Sequence, residues 1–387
     1  MKNLFKKSLA MIMILSLVLS LTACGGSASP SSGNNTVSNN TAGSTDSTKA
    51  STDVPKEKVT LRIGSGHSES NPWIKALEDH FVKNVSERVS KETKYEIEWV
   101  KSYGGSVISL GNELEGVQSG LVDIGCIILV FEASRLPLQT MVYSMPFSCS
   151  DPEIVAKVNK QMMSEFPEFS SDYETKYNQK LLGLGVSDQY GFYSRTEMTS
   201  LADVKGKKIG AAGINLAWIE GSGAVGVQTS LNDTYQNLQT NVCDATIQPT
   251  HSCINLKVYE VAPNYLDANF NVVPFNAITV NSDTWSTLPE EVQKILTEVG
   301  ESYLDYESKY ISTVHAEDLK FMQENGVKVN KLDTEAQKAW ANSLSDLVHN
   351  LVQNLNKSGY DGVKIVNRYY ELLKDNGVEM IRDWDIS

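Results

Sequence analysis

The chain has 387 residues, of which 41% are apolar and 21% charged, enough to bury the cores of two lobes. Its formal net charge of -13 argues against nucleic acid and against a polybasic membrane-surface segment, since both demand an excess of Lys and Arg. There is no G-x-S-x-G, no H-E-x-x-H and no phosphate-cradling P-loop, so neither an enzyme nor a cofactor is expected.

At the start, Lys2, Lys6 and Lys7 precede an apolar Leu9 to Leu21 that is short for a bilayer span, which reads as an export signal over residues 1–23. It ends Leu21-Thr22-Ala23-Cys24, which resembles a bacterial lipobox, and Cys24 is the expected site of lipid attachment. Gly25 to Asp53 is nearly all Ser, Thr, Asn, Gly and Ala, so residues 24–57 form a tether with no capacity to pack. An ordinary signal peptide with an incidental cysteine would leave that tether nothing to hold.

Val59, Leu61 and Ile63 alternate as a half-buried strand, Gly64-Ser65-Gly66-His67 bends the chain, and Pro72 opens a helix with Ile74, Leu77, Phe81, Val85 and Val89 on one face. Tyr95, Ile97 and Trp99 give a second strand, Val107 to Gln118 a helix, and Leu121 to Val130 a nearly continuous apolar strand. Arg135 then lies in an apolar loop ahead of Pro146-Phe147, either reaching a ligand or pairing with Glu132. Asp151-Pro152 opens a helix to Phe166, and Leu181 to Val186 is a strand. The chain is expected to cross to a second lobe at Ser187 to Ser194 and to return at Pro274 to Val280. From Leu288 to Asn325 apolar residues recur at helical spacing without a breaker; a short strand at Val327 and Val329 follows, then closing helices over Asp333 to Leu355 and Val363 to Lys374. The expected lobes are 58–187 with 275–313, and 188–274 with 314–387. Cys126 and Cys243 sit in apolar runs and read as buried thiols, two disulfides among Cys126, Cys149, Cys243 and Cys253 being the alternative. Cys243, His251 and Cys253 lack the second ligand pair that a zinc site needs.

The most distinctive stretch runs from Asp203 to Pro249: a turn and strand with Asp203, Gly206 and Lys208, a helix with Asp233, Tyr235, Leu238, Gln239, Thr240 and Asp244, then a buried strand ending at Gln248-Pro249. It resembles the signature of the solute-binding proteins of TRAP transporters, the tripartite secondary carriers, and the likeness extends from about Val59 to Gly326. The resemblance implies an α/β fold of two lobes, periplasmic-binding-protein-like, with crossovers between them and a long helix spanning both. It also implies capture of a small organic acid, closure of the lobes over it, and delivery to a small and a large membrane subunit. A sensor that presents its solute to a membrane receptor is the alternative.

The family's carboxylate-binding arginine, in a K-x-R arrangement, is Gly210 here, a second arginine position is Tyr190, and the asparagine before the proline is Gln248. Gly210 to Gly213 is expected to leave space, and amides at Gly213 to Asn215, opening a helix, could hold an anion without an arginine; packing glycines and a neutral or zwitterionic solute are the alternative. The candidate ligand-binding residues are His67, Arg135, Tyr190, Gly213, Asn215, Trp218 and Gln248, with Trp73 and Phe192 as further aromatics. Gly221 to Gly226 fits G-x-G-x-x-G but follows a helix, so it is not read as a dinucleotide site.

Overall fold

The computed structural model describes residues 55–387. The export signal, Cys24 and the tether up to residue 54 lie outside the described residues.

The first four strands are β1 (Glu57–Gly64), β2 (Tyr95–Ser102), β3 (Ile124–Ile128) and β4 (Gln179–Val186). The chain then crosses over and lays down β5 (Tyr190–Ser194), β6 (Lys208–Ala211), β7 (Val225–Gln228), β8 (Ala245–Pro249) and β9 (Asn264–Asp267). It returns for β10 (Pro274–Asn281), and β11 (Lys328–Lys331) closes the second sheet. The five-stranded sheet has the order β2-β1-β3-β10-β4 and the six-stranded one β11-β9-β5-β8-β6-β7. Both are mixed, because β10 enters antiparallel between β3 and β4, and β5 lies antiparallel between β8 and β9. Every residue of β3, β8 and β10 is buried, which is why β3 reads as a continuous apolar run without alternation.

The outward crossing is confined to Ser187, Asp188 and Gln189, and the return occupies residues 268–273, just ahead of the expected span. The two crossings hold each other: Ser187 N donates to Val273 O at 2.9 Å, Val273 N to Ser187 Oγ at 3.1 Å, and Gln189 Nε2 to Asn269 Oδ1 at 2.7 Å. A junction of two connectors running side by side in opposite directions can bend without breaking either sheet.

The unbroken heptad-like run becomes a single helix, Glu290–Glu324, of 35 residues. At about 1.5 Å rise per residue it extends about 50 Å, enough to pack on β4 of one lobe and on the Thr250–Asn255 helix and β11 of the other. Its close approach to β4 depends on Gly300, where an added Cβ would lie 2.2 Å from Leu182 O.

Three expected helices change. Val107 to Gln118 is helical only at Glu113–Gln118, because Gly111 takes φ 81° and the Glu113 carboxylate turns back to accept from Gly111 N at 2.7 Å and Gly66 N at 3.0 Å. The helix expected from Ile214 is a 3-10 path, Gly213–Ile219, held by indoles: Trp218 Nε1 donates to Tyr143 O at 2.7 Å, and Trp340 Nε1 to Trp218 O at 2.9 Å. Asp333 to Leu355 breaks into Thr334–Ser343 and Leu347–Lys357, since Arg382 Nη1 takes the carbonyls of Ala341 and Leu344 that would continue the ladder. The closing helices, read above with the second lobe, divide between the two: Trp340 anchors one on Trp218, while Gly362–Asp375 lies on Pro152–Glu165, with Arg368 Nε and Nη2 2.7 and 2.8 Å from Glu165. Cys126, Cys149, Cys243 and Cys253 are buried free thiols. Among the described residues no helix is long and apolar enough to cross a membrane.

Candidate ligand-binding site

Beyond the carboxyl ends of β1, β3, β6 and β8, the two lobes enclose a small cavity, the location where open α/β sheets hold their ligands. From the first lobe come His67 in the bend after β1, Val130 and Phe131 after β3, and Phe275 at the start of β10. From the second come Tyr190 at the start of β5, Ala212 and Asn215 after β6, Leu231, and Gln248-Pro249 at the end of β8. Only about 20 Å³ is open to the centre of a water-sized sphere, so the lobes stand closed over it and must part to admit a solute. The indole of Trp218 bonded to Tyr143 O, and Asn255 Nδ2 bonded to Ser70 O at 2.6 Å, are contacts across that closure. Larger surface openings of about 370 and 440 Å³, near Gly183 and Gly300 and near Asp151 and Gln189, lie away from these strand ends and have neither its convergence of buried donors nor its enclosure.

His67 is 2% exposed. Its Nδ1 accepts from Trp73 Nε1 at 3.0 Å, and its Nε2 is buried without a partner. Burial alone pulls it down to about 3, so it is a neutral imidazole at ordinary pH. Asn215, 1% exposed, likewise has a buried Nδ2 without a partner. Gln248 Nε2 has one long bond, to Thr234 Oγ1 at 3.3 Å. The Tyr190 ring stands edge-on to Trp218 at 5.1 Å, and burial pushes its phenol well above the usual value. Every polar side chain lining the cavity is uncharged. His67 has an indole as its hydrogen-bond partner, with neither a carboxylate nor a hydroxyl or thiol nucleophile bonded to it, so the arrangement suits holding a solute and does not assemble an acid–base pair.

His67, Tyr190, Asn215 and Gln248 therefore meet at one place. Trp218 stands behind Tyr190, stacked near Tyr143 and Phe270, and Phe192 is buried against Phe270 and Trp340. Gly213 is exposed and outside the cavity lining, so its amide is not part of the site. Arg135 takes the structural course: its Nε lies 2.6 Å from Glu132 Oε2 and its Nη2 donates to Gly111 O at 2.9 Å. The space expected at Gly210 is filled, since a Cβ there would come 3.0 Å from Cys243 Sγ and 3.2 Å from Thr229 Oγ1. The sequence reading missed Phe131, Leu231 and Phe275, of which Phe131 and Phe275 carry the signal of standing at strand ends. His251, weighed above as a metal ligand, has its Nδ1 bonded to Asp318 at 2.8 and 3.0 Å.

A family model described as bacterial extracellular solute-binding protein, family 7, matches residues 63–354, well over half of the chain. The chain belongs to family 7 of the bacterial extracellular solute-binding proteins. Among known members it is similar to the sialic acid-binding periplasmic protein of Vibrio cholerae, at 26% identity over 41% of this chain and 50% of that one. It is similar also to the C4-dicarboxylate-binding periplasmic protein of Rhodobacter capsulatus, at 26% identity over 65% of this chain and 75% of that one. The alignment thus spans about half the length of the first relative. A solved structure, a Bordetella pertussis extracytoplasmic solute receptor binding pyroglutamic acid, superposes with a TM-score of 0.71 at 19% identity, covering 81% of this chain and 100% of that one. The two-lobe fold with a long helix is the family's, and the resemblance to TRAP solute-binding proteins read from Asp203 to Pro249 is borne out.

Proposed function

We propose that this chain is the extracytoplasmic binding subunit of a TRAP transporter, tethered to the membrane through a lipid on Cys24, that captures a small organic acid between its lobes and hands it to a small and a large membrane subunit. The observation that carries this reading is the convergence of His67 and Phe275 from one lobe with Tyr190, Asn215 and Gln248 from the other on one enclosed cavity. A ligand touching both lobes at once favours the closed form by its differential affinity for it. The moving bodies are residues 58–187 with 275–313, and 188–274 with the chain from 314, the helix Gly362–Asp375 travelling with the first through its contact with Pro152–Glu165. The acids named for the relatives, sialic acid, C4-dicarboxylate and pyroglutamic acid, support the ligand class.

A thermal-shift screen over pyroglutamate, aromatic monocarboxylates, succinate and sialic acid tests it. Saturating ligand at a hundred times its dissociation constant adds about 2.7 kcal/mol of stability, a shift of several degrees. Compact monocarboxylates are expected to raise the melting temperature most, because the lining mixes four neutral polar groups with apolar Val130, Phe131, Leu231 and Phe275. No shift with any acid would overturn the reading. A strong shift with succinate, undiminished in Tyr190→Ala and Gln248→Ala, would move the site elsewhere.

A further inference from the structure

Among the polar groups lining the site is His67, and the structure fixes its protonation by an unusual partner. Indole Nε1–H can only donate. Because Trp73 Nε1 lies 3.0 Å from His67 Nδ1, that nitrogen must be the acceptor, and the proton of the neutral ring sits on Nε2, the buried nitrogen without a partner on the cavity side. Protonating His67 would set two N–H groups against each other. Trp73 has no freedom to turn away: it is fully buried, its ring packs 4.3 Å from Phe275, and its carbonyl accepts from Tyr303 Oη at 3.1 Å.

We propose that Trp73 is a positioning residue that sets ligand specificity: it holds His67 as an uncharged Nε2–H donor, so that with Asn215 Nδ2 the acid group of the ligand is met by neutral N–H groups and by no ion pair. The proposal rests on the organic-acid reading above and narrows it. Where a guanidinium binds a carboxylate, an uncharged analogue leaves a buried cation unpaired and is strongly rejected. Where neutral donors bind it, an uncharged carbonyl of the same shape still satisfies them. The cleft therefore takes planar carbonyl solutes whether or not they carry charge, and a carboxamide is bound more weakly than the acid but is not rejected.

Four acidic side chains lie next to residues of the site, and Arg135, the cation beside them, is paired. Glu113 Oε1 accepts from the neighbouring Gly66 N at 3.0 Å, Glu132 follows Phe131 and pairs with Arg135, Asp188 precedes Tyr190 by two residues, and Glu307 Oε1 lies 2.8 Å from the Tyr303 hydroxyl that bonds to Trp73 O. Burial pushes Glu113, Glu132 and Asp188 up to about 7 and Glu307 to about 8. None contributes a positive charge to the cavity, so a ligand's neutral form is at no disadvantage from its surroundings.

Two measurements test this, one of them without any ligand. In protein labelled with ¹⁵N-histidine, two-bond proton–nitrogen correlation spectra between pH 5 and 8, with the His67 signals assigned by their loss in His67→Gln, should show His67 as the Nε2–H tautomer throughout. Trp73→Phe should let it titrate or mix tautomers within that range. An Nδ1–H tautomer, or titration of His67 in the unaltered protein, would overturn the proposal, and this spectrum decides even if Trp73→Phe does not fold. The second measurement is calorimetric titration with pyroglutamate and its carboxamide. The carboxamide should bind within about a hundredfold of the acid, the difference being that between hydrogen bonds to charged and to neutral acceptors; a larger loss would show an ion pair. Failure of both probes and of every acid in the screen would count against the organic-acid reading, while the tautomer spectrum would still decide the role of Trp73.

Discussion

Asn215 illustrates the cost that a buried polar side chain imposes when it has no partner. Its Nδ2 is fully buried with no partner, and an unsatisfied buried donor costs about 1–3 kcal/mol. Asn215→Leu, close in shape and apolar, is therefore expected to leave the ligand-free protein as stable or up to about 2 kcal/mol more stable, while weakening the organic acid found in the screen by tenfold or more. Chemical denaturation and calorimetric titration on the same sample check both halves. A loss of stability with unchanged affinity would assign Asn215 to packing alone. At this scale the sequence was legible where a residue borders a strand or lies near its end: His67 and Asn215 follow β1 and β6, Tyr190 opens β5 and Gln248 is the last residue but one of β8, and the cavity gathers them. Gly213 and Arg135 were read from local chemistry, a glycine ahead of a helix and an arginine in an apolar loop. For Gly213 the outcome depended on partners that only the fold reveals, the indole bonds of Trp218 and Trp340, whereas for Arg135 the structure takes the pairing with Glu132 that the sequence already offered.

Whole elements were easier to read than their ends. The 35-residue helix follows from its apolar spacing, and β3 and β8 follow from short apolar runs bounded by turns, because burial on both faces writes itself into composition. What spacing does not encode is how near two elements approach. Gly300 in the middle of the long helix looks like a helix-weakening residue, yet it is the point where the helix backbone meets β4, with a Cβ position 2.2 Å from Leu182 O and 2.7 Å from Leu182 C. Intrinsic propensity favours Gly300→Ala by about 1 kcal/mol. The backbone clash should outweigh that, and a net destabilisation of about 2–4 kcal/mol is expected. Thermal denaturation of Gly300→Ala followed by circular dichroism measures it. An increase in melting temperature would mean that the helix can slide on β4 without loss. The breaks at Gly111 and at Leu344 share an origin, a side chain taking the backbone groups that a helical turn would use, Glu113 two residues on in one case and Arg382 from far along the chain in the other.

Across the molecule, the acidic side chains buried near the junction of the lobes give folding an unusual dependence on pH. Burial raises Glu307 to about 8, and Asp188, Glu113 and Glu132 to about 7. An unfolded carboxyl loses its proton near pH 4. Between there and the folded value the native state therefore holds protons that the unfolded state has released, and stability falls as pH rises. The histidines complicate only the lower part of this range. Burial lowers His67, His80 and His315, so below the unfolded imidazole value near 6.5 they make stability rise with pH, for His67 down to about 3, and above 6.5 they contribute no slope. For His251 burial is the largest single effect and acts downward, but the bond to Asp318 together with the negative charges of Asp318, Asp188 and Glu317 raises the ring, so its contribution also declines as pH rises. From pH 6.5 to 8 the terms share one sign, and unfolding free energy should fall by on the order of 1–3 kcal/mol, about 1.4 kcal/mol per proton and pH unit being the governing slope. Glu307→Gln can still accept from Val186 N and pair with the Tyr303 hydroxyl, bonds of 2.9 and 2.8 Å in the present carboxyl, without a proton to lose. Urea denaturation of both proteins at pH 6.5, 7.2 and 8.0 makes the comparison. The variant should show a shallower decline and should be the more stable of the two at pH 8. A stability that is flat or rising over this range in the unaltered protein would mean that these carboxyls are ionised in the fold and that water or a cation reaches them.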